Sequence, residues 1–194
     1  MKLKTITGGY SLVEVLVAVA ILMLAIVSPM TIAVKSIQSA QYVHQQNTAI
    51  FLAQEGISVA NAIRDNNGLS YLNGDTTDPW EFPDYDGLAP CFDLEGCNFD
   101  VSDPLSLNET VEVTACGEDG ESCRLYFDES AGQAVYHVNG TAGTESPFIR
   151  RIYMVHNADE VQVVSTVEWE SKLLNSVQEV SVTGSFFNIY KLFN

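Results

Sequence analysis

The stretch GGYSLVEVLVAVAILMLAIV, residues 8–27, opens an apolar run that continues to Val34. Within this run the only charged side chain is that of Glu14. About twenty-five residues of α-helix measure roughly 37 Å, which is enough to cross a bilayer. Lys2 and Lys4 precede the run, and positive charge beside an apolar segment marks its cytoplasmic end. The sequence therefore predicts a single-pass membrane helix that leads out of the cytoplasm.

Glu14 needs a cationic partner, since an unpaired carboxylate within or near hydrocarbon is costly. The first basic residue downstream is Lys35, about 32 Å farther along a helix, so we expect the partner to be a new amino group or another chain. An uncleaved signal anchor explains the lysines and the apolar run but not Glu14. A secretory signal peptide fits this run less well, because its apolar core is shorter and ends at a small-residue cleavage site. The simplest alternative to a cationic partner is that lipid headgroups solvate the Glu14 carboxylate.

The same residues resemble the N-terminus of type IV prepilins. The family pattern is a short basic leader ending in Gly, then an aromatic residue, Ser or Thr, Leu, an aliphatic residue, Glu and a long apolar helix, and GGYSLVEV matches it throughout. The resemblance implies cleavage after Gly9 by a prepilin peptidase, which also N-methylates the new terminus at Tyr10. It further implies that Glu14 pairs with the methylated ammonium of a neighbouring subunit, or of its own chain, when subunits dock. Two such charges attract strongly at low dielectric, and an unpaired one is costly.

Beyond the apolar run, the pattern predicts one continuous helix from about Tyr10 to Asp65. Pro29 is expected to kink or locally melt it, because proline lacks a backbone donor and clashes with the preceding turn. Asn66-Asn67-Gly68 is a stop signal. Residues 51–68 also resemble a stretch of PilV-type minor pilins. The apolar face recurs at three- and four-residue steps, at Ile50, Ala53, Ile57, Ala60, Ile63 and Arg64.

Four cysteines, Cys91, Cys97, Cys116 and Cys123, lie in a loop-rich stretch. Their even number, their clustering and the membrane-targeting N-terminus favour two disulfides in an oxidising compartment. Four cysteines allow three connectivities, of which we favour local closure, Cys91–Cys97 and Cys116–Cys123. A zinc site is the alternative, although neither pair has CxxC spacing.

The chain is strongly acidic, with a formal net charge of -16. This charge argues against nucleic acid and anionic lipid surfaces as direct partners. Residues 66–135 hold sixteen Asp and Glu against one base, Arg124. Such an acidic region is a candidate calcium site, and Asp84-Tyr85-Asp86-Gly87 is the fragment that best resembles part of a calcium-binding loop. A full twelve-residue loop ending in Glu is missing. No metal or cofactor is assigned, and an exposed ligand-binding loop is the other alternative.

The C-terminal half changes to a period of two, which predicts β-strands. Val161, Val163, Ser165, Val167 and Trp169 should share one face, and a hairpin turn should follow at 172–175. The strands should form an antiparallel sheet whose buried face is covered by the amphipathic half of the helix, an α+β fold. This half of the chain also resembles PilV-type minor pilins. The predicted strand segments are ETVEVTAC, CRLYFD, QAVYHV, FIRRIYMVH, VQVVSTVEWE and VQEVSVTGSFFNIY.

Catalysis is not expected. The three histidines, His44, His137 and His156, have no acid or nucleophile at a helpful spacing, and GxSxG, HExxH and P-loop motifs are missing. We therefore predict a protein that is not an enzyme.

The resemblance as a whole implies a structural subunit, a minor pilin, of a type IV pilus. Its partners would be the peptidase, other pilins and the assembly platform, and it would stand in the inner membrane, head outside the cytoplasm, before reaching the pilus or cell surface, where pili serve adhesion. The alternatives are a pseudopilin of a type II secretion or competence system and a membrane-anchored extracellular binding module. The expected organisation is a leader at 1–9, a membrane or filament-core helix at 10–34, an amphipathic helix at 35–66 and a head at 67–194, with acidic loops at 67–108 and the sheet at 109–194.

Overall fold

The fold is α+β, with a long N-terminal helix and an antiparallel sheet. The chain forms two compact units, residues 1–43 and residues 44–194, and α1, Leu12–Leu72, contributes to both. The computed structural model describes residues 11–74, 88–99, 112–129, 135–138, 143–157, 159–171 and 173–188.

The helix α1 runs seven residues past the predicted end at Asp65. The stop signal Asn66-Asn67-Gly68 lies inside it, and Asn67 and Gly68 are buried. A local stop signal is worth only about 1 kcal/mol, so packing of the last turns overrides it.

Pro29 lies inside α1, and the helix continues through it without interruption. The local melting predicted before Pro29 is therefore absent from this structure. Proline removes only one backbone donor, and the Thr31 hydroxyl adds a hydrogen bond to the Ser28 carbonyl at 2.8 Å.

Three long strands dominate the head: β5, Thr144–Asn157, β6, Glu160–Ser171, and β7, Ser176–Phe187. They are where the sequence predicts them, with positive-φ Asn175 in the turn between β6 and β7. Of the predicted strand segment at 109–116, the described residues begin at 112 and contain the short strand Val113–Ala115. The strand Cys97–Phe99 was not predicted, because three residues show no period. The short strands are β1, Cys97–Phe99, β2, Val113–Ala115, β3, Arg124–Asp128, and β4, Val135–His137.

All strand pairings in the described sheet are antiparallel. One edge of β5 pairs with β6 from Phe148↔Trp169 to Asn157↔Glu160. Its other edge therefore carries both β3 and β1, which extend through β4 and β2 respectively. The strand β7 pairs with β6 along its whole length.

The second half of α1 covers one face of this sheet, as the sequence predicts. Along β6 the predicted face from Val161 to Trp169 is buried at every second residue. On the helix, Ile50, Ile57 and Arg64 are only half-buried and border the covered stripe. The buried positions of α1 are Ala49, Leu52, Ala53, Gly56, Val59, Ala60, Ile63, Asn67 and Gly68.

Candidate assembly interface

The first half of α1 is apolar on every side. All residues from 11 to 41 are exposed, including large side chains such as Leu24, Met30 and Ile32, each at least 66% exposed. The part of this stretch up to Val34 is long and apolar enough to cross a membrane, a property that signal sequences near an N-terminus share. A soluble chain rarely exposes so large an apolar surface, so the stretch needs a cover that its own helix does not supply.

Glu14 lies in the first turn of α1, where the helix dipole favours negative charge. Its backbone N–H donates to the Ser11 carbonyl at 2.9 Å. Ser11 directly precedes the helix and Glu14 follows three residues later, which is the spacing of a capping box. The hydrogen bond formed here joins backbone atoms, so the spacing alone supports a capping role, which would favour Glu or Gln at position 14 without a second subunit.

The other predicted processing residues, Gly9 and Tyr10, lie outside the described residues, as does the calcium candidate at 84–87. Cleavage after Gly9, methylation of Tyr10 and pairing of Glu14 therefore stay predictions. Among the described residues, no group of three or more His, Cys, Asp or Glu side chains is placed to hold a metal ion.

In the head, α1 lies close against the sheet at Gly56. A Cβ added there would lie 2.6 Å from the Ser165 hydroxyl and 3.1 Å from Cδ1 of Ile152. A larger residue at this position would have to move the side chains of Ser165 and Ile152. The glycine that looks like a weak point in the helix sequence is therefore a packing requirement.

Arg150 is fully buried between α1, β1 and β5. Its Nη1 donates to the Glu55 carboxylate at 2.9 Å and the Leu52 carbonyl at 3.3 Å. Its Nε donates to Oδ1 of Asn98 at 2.7 Å, and its Nη2 donates to the Phe99 carbonyl at 3.0 Å. One guanidinium thus joins the helix to two strands, and removing it would leave several buried acceptors unpaired.

Arg151, the next residue on β5, belongs to the opposite face and holds the disulfide loops. Its guanidinium donates to the carbonyls of Gly117 and Glu118 at 3.2 Å, and to that of Glu95 at 3.4 Å. Gly120 has a φ of +74°, and a Cβ there would collide with the guanidinium. The Arg151 guanidinium therefore holds the disulfide loops against this face of the sheet.

The two disulfides are Cys91–Cys97 and Cys116–Cys123, the local closure that the sequence favours over zinc. The first ties a 3-10 turn, Ala89–Phe92, to β1, and the second closes the connection from β2 to β3. Each loop is short, with a separation of six or seven residues, so each bond should stabilise the head by about 2 kcal/mol.

Two further charged contacts lie at the head's surface. Arg64 pairs with its neighbour Asp65 at 2.8 Å and stacks over the Phe186 ring, 5.1 Å from its centroid. A hydrogen bond from Arg124 lowers the pKa of the Glu121 carboxyl, and the same bond raises the pKa of Arg124.

Sequence reasoning missed Arg150 and Arg151. The available signal was two adjacent arginines in the middle of an apolar strand, in a chain with only nine basic residues. A charge in such a place needs a partner on each face of the sheet. No pattern in the sequence identifies those partners, because they come from segments thirty or more residues away.

Comparisons with protein-family models, curated proteins and solved structures find no match. What the structure shows is the architecture: a long N-terminal helix, apolar in its first half, whose second half packs on an antiparallel sheet with two disulfides. This architecture is pilin-like.

Proposed function

We propose that this protein is a non-catalytic structural subunit of a type IV filament, a minor pilin, which assembles through the first half of α1. The observation that carries the proposal is the apolar helix surface from residue 11 to residue 34, exposed on all sides and interrupted near its start by a single carboxylate. A membrane covers such a surface before assembly, and packed helices of other subunits cover it afterwards.

Processing would create the partner that Glu14 needs. Cleavage after Gly9 leaves an ammonium at Tyr10, four residues before the carboxylate, and a neighbouring subunit would present the same group. The pairing would set the register between subunits and make assembly wait for cleavage. The acidic head favours a low-copy subunit, since repeated acidic heads repel one another, although salt screens this repulsion beyond about 8 Å.

The decisive variant is Glu14→Gln, because glutamine also suits the capping box but carries no charge. We expect the variant to insert in the membrane normally and to be lost from sheared filaments by at least tenfold. Glu14→Asp, which keeps the charge in the first helical turn, should retain measurable incorporation. Normal incorporation of the Glu14→Gln protein would leave helix capping as the role of Glu14.

Mass spectrometry of the N-terminal peptide separates the filament subunit from a membrane-anchored binding module. If the protein is a filament subunit, its chain should begin at a methylated Tyr10. If it is a membrane-anchored binding module, its chain should still begin at Met1. A pseudopilin of a secretion or competence system would have the same processed terminus. Deleting each assembly system in turn separates these functions, because the protein should stay in the membrane only when its own system is missing.

A further inference from the structure

The strand β7 has one paired edge and one free edge within the described sheet. Its paired edge follows β6 through twelve consecutive residue pairs, from Ser171↔Ser176 to Glu160↔Phe187. No strand among the described residues pairs with the other edge. At about 3.4 Å per residue, β7 offers a row of backbone donors and acceptors about 40 Å long.

This edge lacks the features that usually prevent strand addition. Proteins protect edges with proline, lysine, bulges or very short strands. Between Ser176 and Phe187 there is no proline and no lysine, and the register with β6 shows no shift. The strand is also long, and its only charged residue is Glu179. The edge is therefore competent to accept a further strand.

The outward side chains of β7 give such a strand a pattern to recognise. Every second residue from Val177 to Phe187 is exposed, and these two apolar side chains, 66% and 59% exposed, mark the ends of the row. Glu179 lies near one end, and Ser181, Thr183 and Ser185 lie between.

Glu179 is directly opposite Glu168 on β6, and like charges at opposed positions destabilise a strand pair. None of the ion pairs formed among the described residues includes either carboxylate. Arg151 belongs to the same face of the sheet, but its guanidinium is held by the disulfide loops. A cation supplied from beyond the free edge would remove this repulsion.

We propose that the free edge of β7 binds an extended segment of a partner protein that places a lysine or arginine opposite Glu179 and apolar side chains opposite Val177 and Phe187. Backbone hydrogen bonds would supply the affinity, and the cation would select the partner and its register. The proposal does not depend on filament assembly, because Glu14 variants test that function and Glu179 variants test this one.

A second copy of this chain fits the edge less well. Between Ser176 and Phe187 the strand contains no basic residue, so no register of two β7 strands places a cation beside Glu179. Each copy also carries a net charge of -16, which two copies would bring together. Self-association through β7 is therefore an outcome that the experiment must be able to detect.

The test uses the full chain in detergent micelles and a capped twelve-residue peptide of alternating Thr and Val with one Lys. A twin peptide carries Glu in place of Lys. Hydrogen exchange of the free chain should show alternate β7 amides exchanging rapidly, and the Lys peptide should slow them. We expect the Lys peptide to bind about tenfold more tightly than its twin, and Glu179→Lys to reverse that preference.

Glu129→Lys is the matched control, since it makes the same charge change just after β3, on the other side of β5 from β7. It should leave the preference for the Lys peptide intact. Full protection of every β7 amide in the free chain, or dimers cross-linked through β7, would overturn the proposal. So would failure of the Lys peptide to bind, or equal affinity of the Glu179→Lys protein for the Lys and Glu peptides.

Discussion

The two halves of α1 are one continuous helix, but they bury their apolar side chains differently. Residues 11–41 are exposed throughout and carry large aliphatic side chains. From Ala49 to Gly68 a stripe is buried against the sheet, and much of it is small: Ala49, Ala53, Gly56, Ala60 and Gly68.

The contrast shows that apolar content alone does not tell where a helix packs. The second half has small residues on one side, so it can approach its own sheet closely, and polar residues on the other. The first half has no such division, and its large side chains suit lipid or a bundle of like helices. Three substitutions test this contrast, and a fourth tests a surface contact in the head.

Arg150→Met should have the largest effect on the second half of α1. It leaves Glu55, Asn98 and two buried carbonyls without their donor, so we expect a loss of about 3 kcal/mol in the free energy of unfolding. Denaturant unfolding followed by near-UV circular dichroism measures it. Arg64→Met, which breaks the exposed pair with Asp65, should cost about 1 kcal/mol or less. Equal midpoints for the two variants would contradict the bridging role of Arg150.

Leu24→Arg should affect only the first half. A charge at the centre of a membrane helix costs about 3 kcal/mol, so membrane integration should fall clearly. Carbonate extraction of cell membranes measures the integrated fraction, with Leu24→Ile as the control. The circular dichroism of the head should not change. If the head unfolds in this variant, the two halves of α1 do not act independently.

Gly56→Ala should destabilise the head by about 1–2 kcal/mol, because the clash with Ser165 exceeds the gain in helix propensity. The buried Ser165 hydroxyl has no hydrogen-bond partner among the described residues, so Ser165→Ala should cost little by itself. The double variant should recover most of the loss. A thermal-unfolding double-mutant cycle measures the coupling, and strict additivity would argue against this contact.

The smallest effect concerns Glu121, which Arg124 holds at a lowered pKa. A carboxyl with a lowered folded-state pKa stabilises the fold at pH values above its unfolded pKa. That contribution disappears as the pH falls through the folded pKa. Arg124→Gln should raise the pKa of Glu121 towards its ordinary value, as measured by carboxyl NMR titration. Because Glu121 is exposed, salt should weaken the effect, and a pKa unchanged by the substitution would contradict it.

Local patterns predicted the long elements correctly. The period of β6 assigned the buried face from Val161 to Trp169, and the spacing of the cysteines favoured the two local disulfides. The predictions that were wrong concern single residues judged by local preference. Pro29 does not melt α1, although no part of the described chain packs on it. Asn66-Asn67-Gly68 does not end the helix, because the packing of Asn67 and Gly68 outweighs a local preference of about 1 kcal/mol.

By itself, the sequence determined that the chain has a membrane-length helix, an amphipathic continuation and an alternating sheet, because each follows from spacing along the chain. Only the tertiary structure decided that Arg150 joins α1 to β1 and β5, that Gly56 lies against Ser165, and that no described strand covers the outer edge of β7. Those contacts join residues far apart in sequence. Periodicity indicates which side of an element is apolar, but the partner it meets depends on how the whole chain folds.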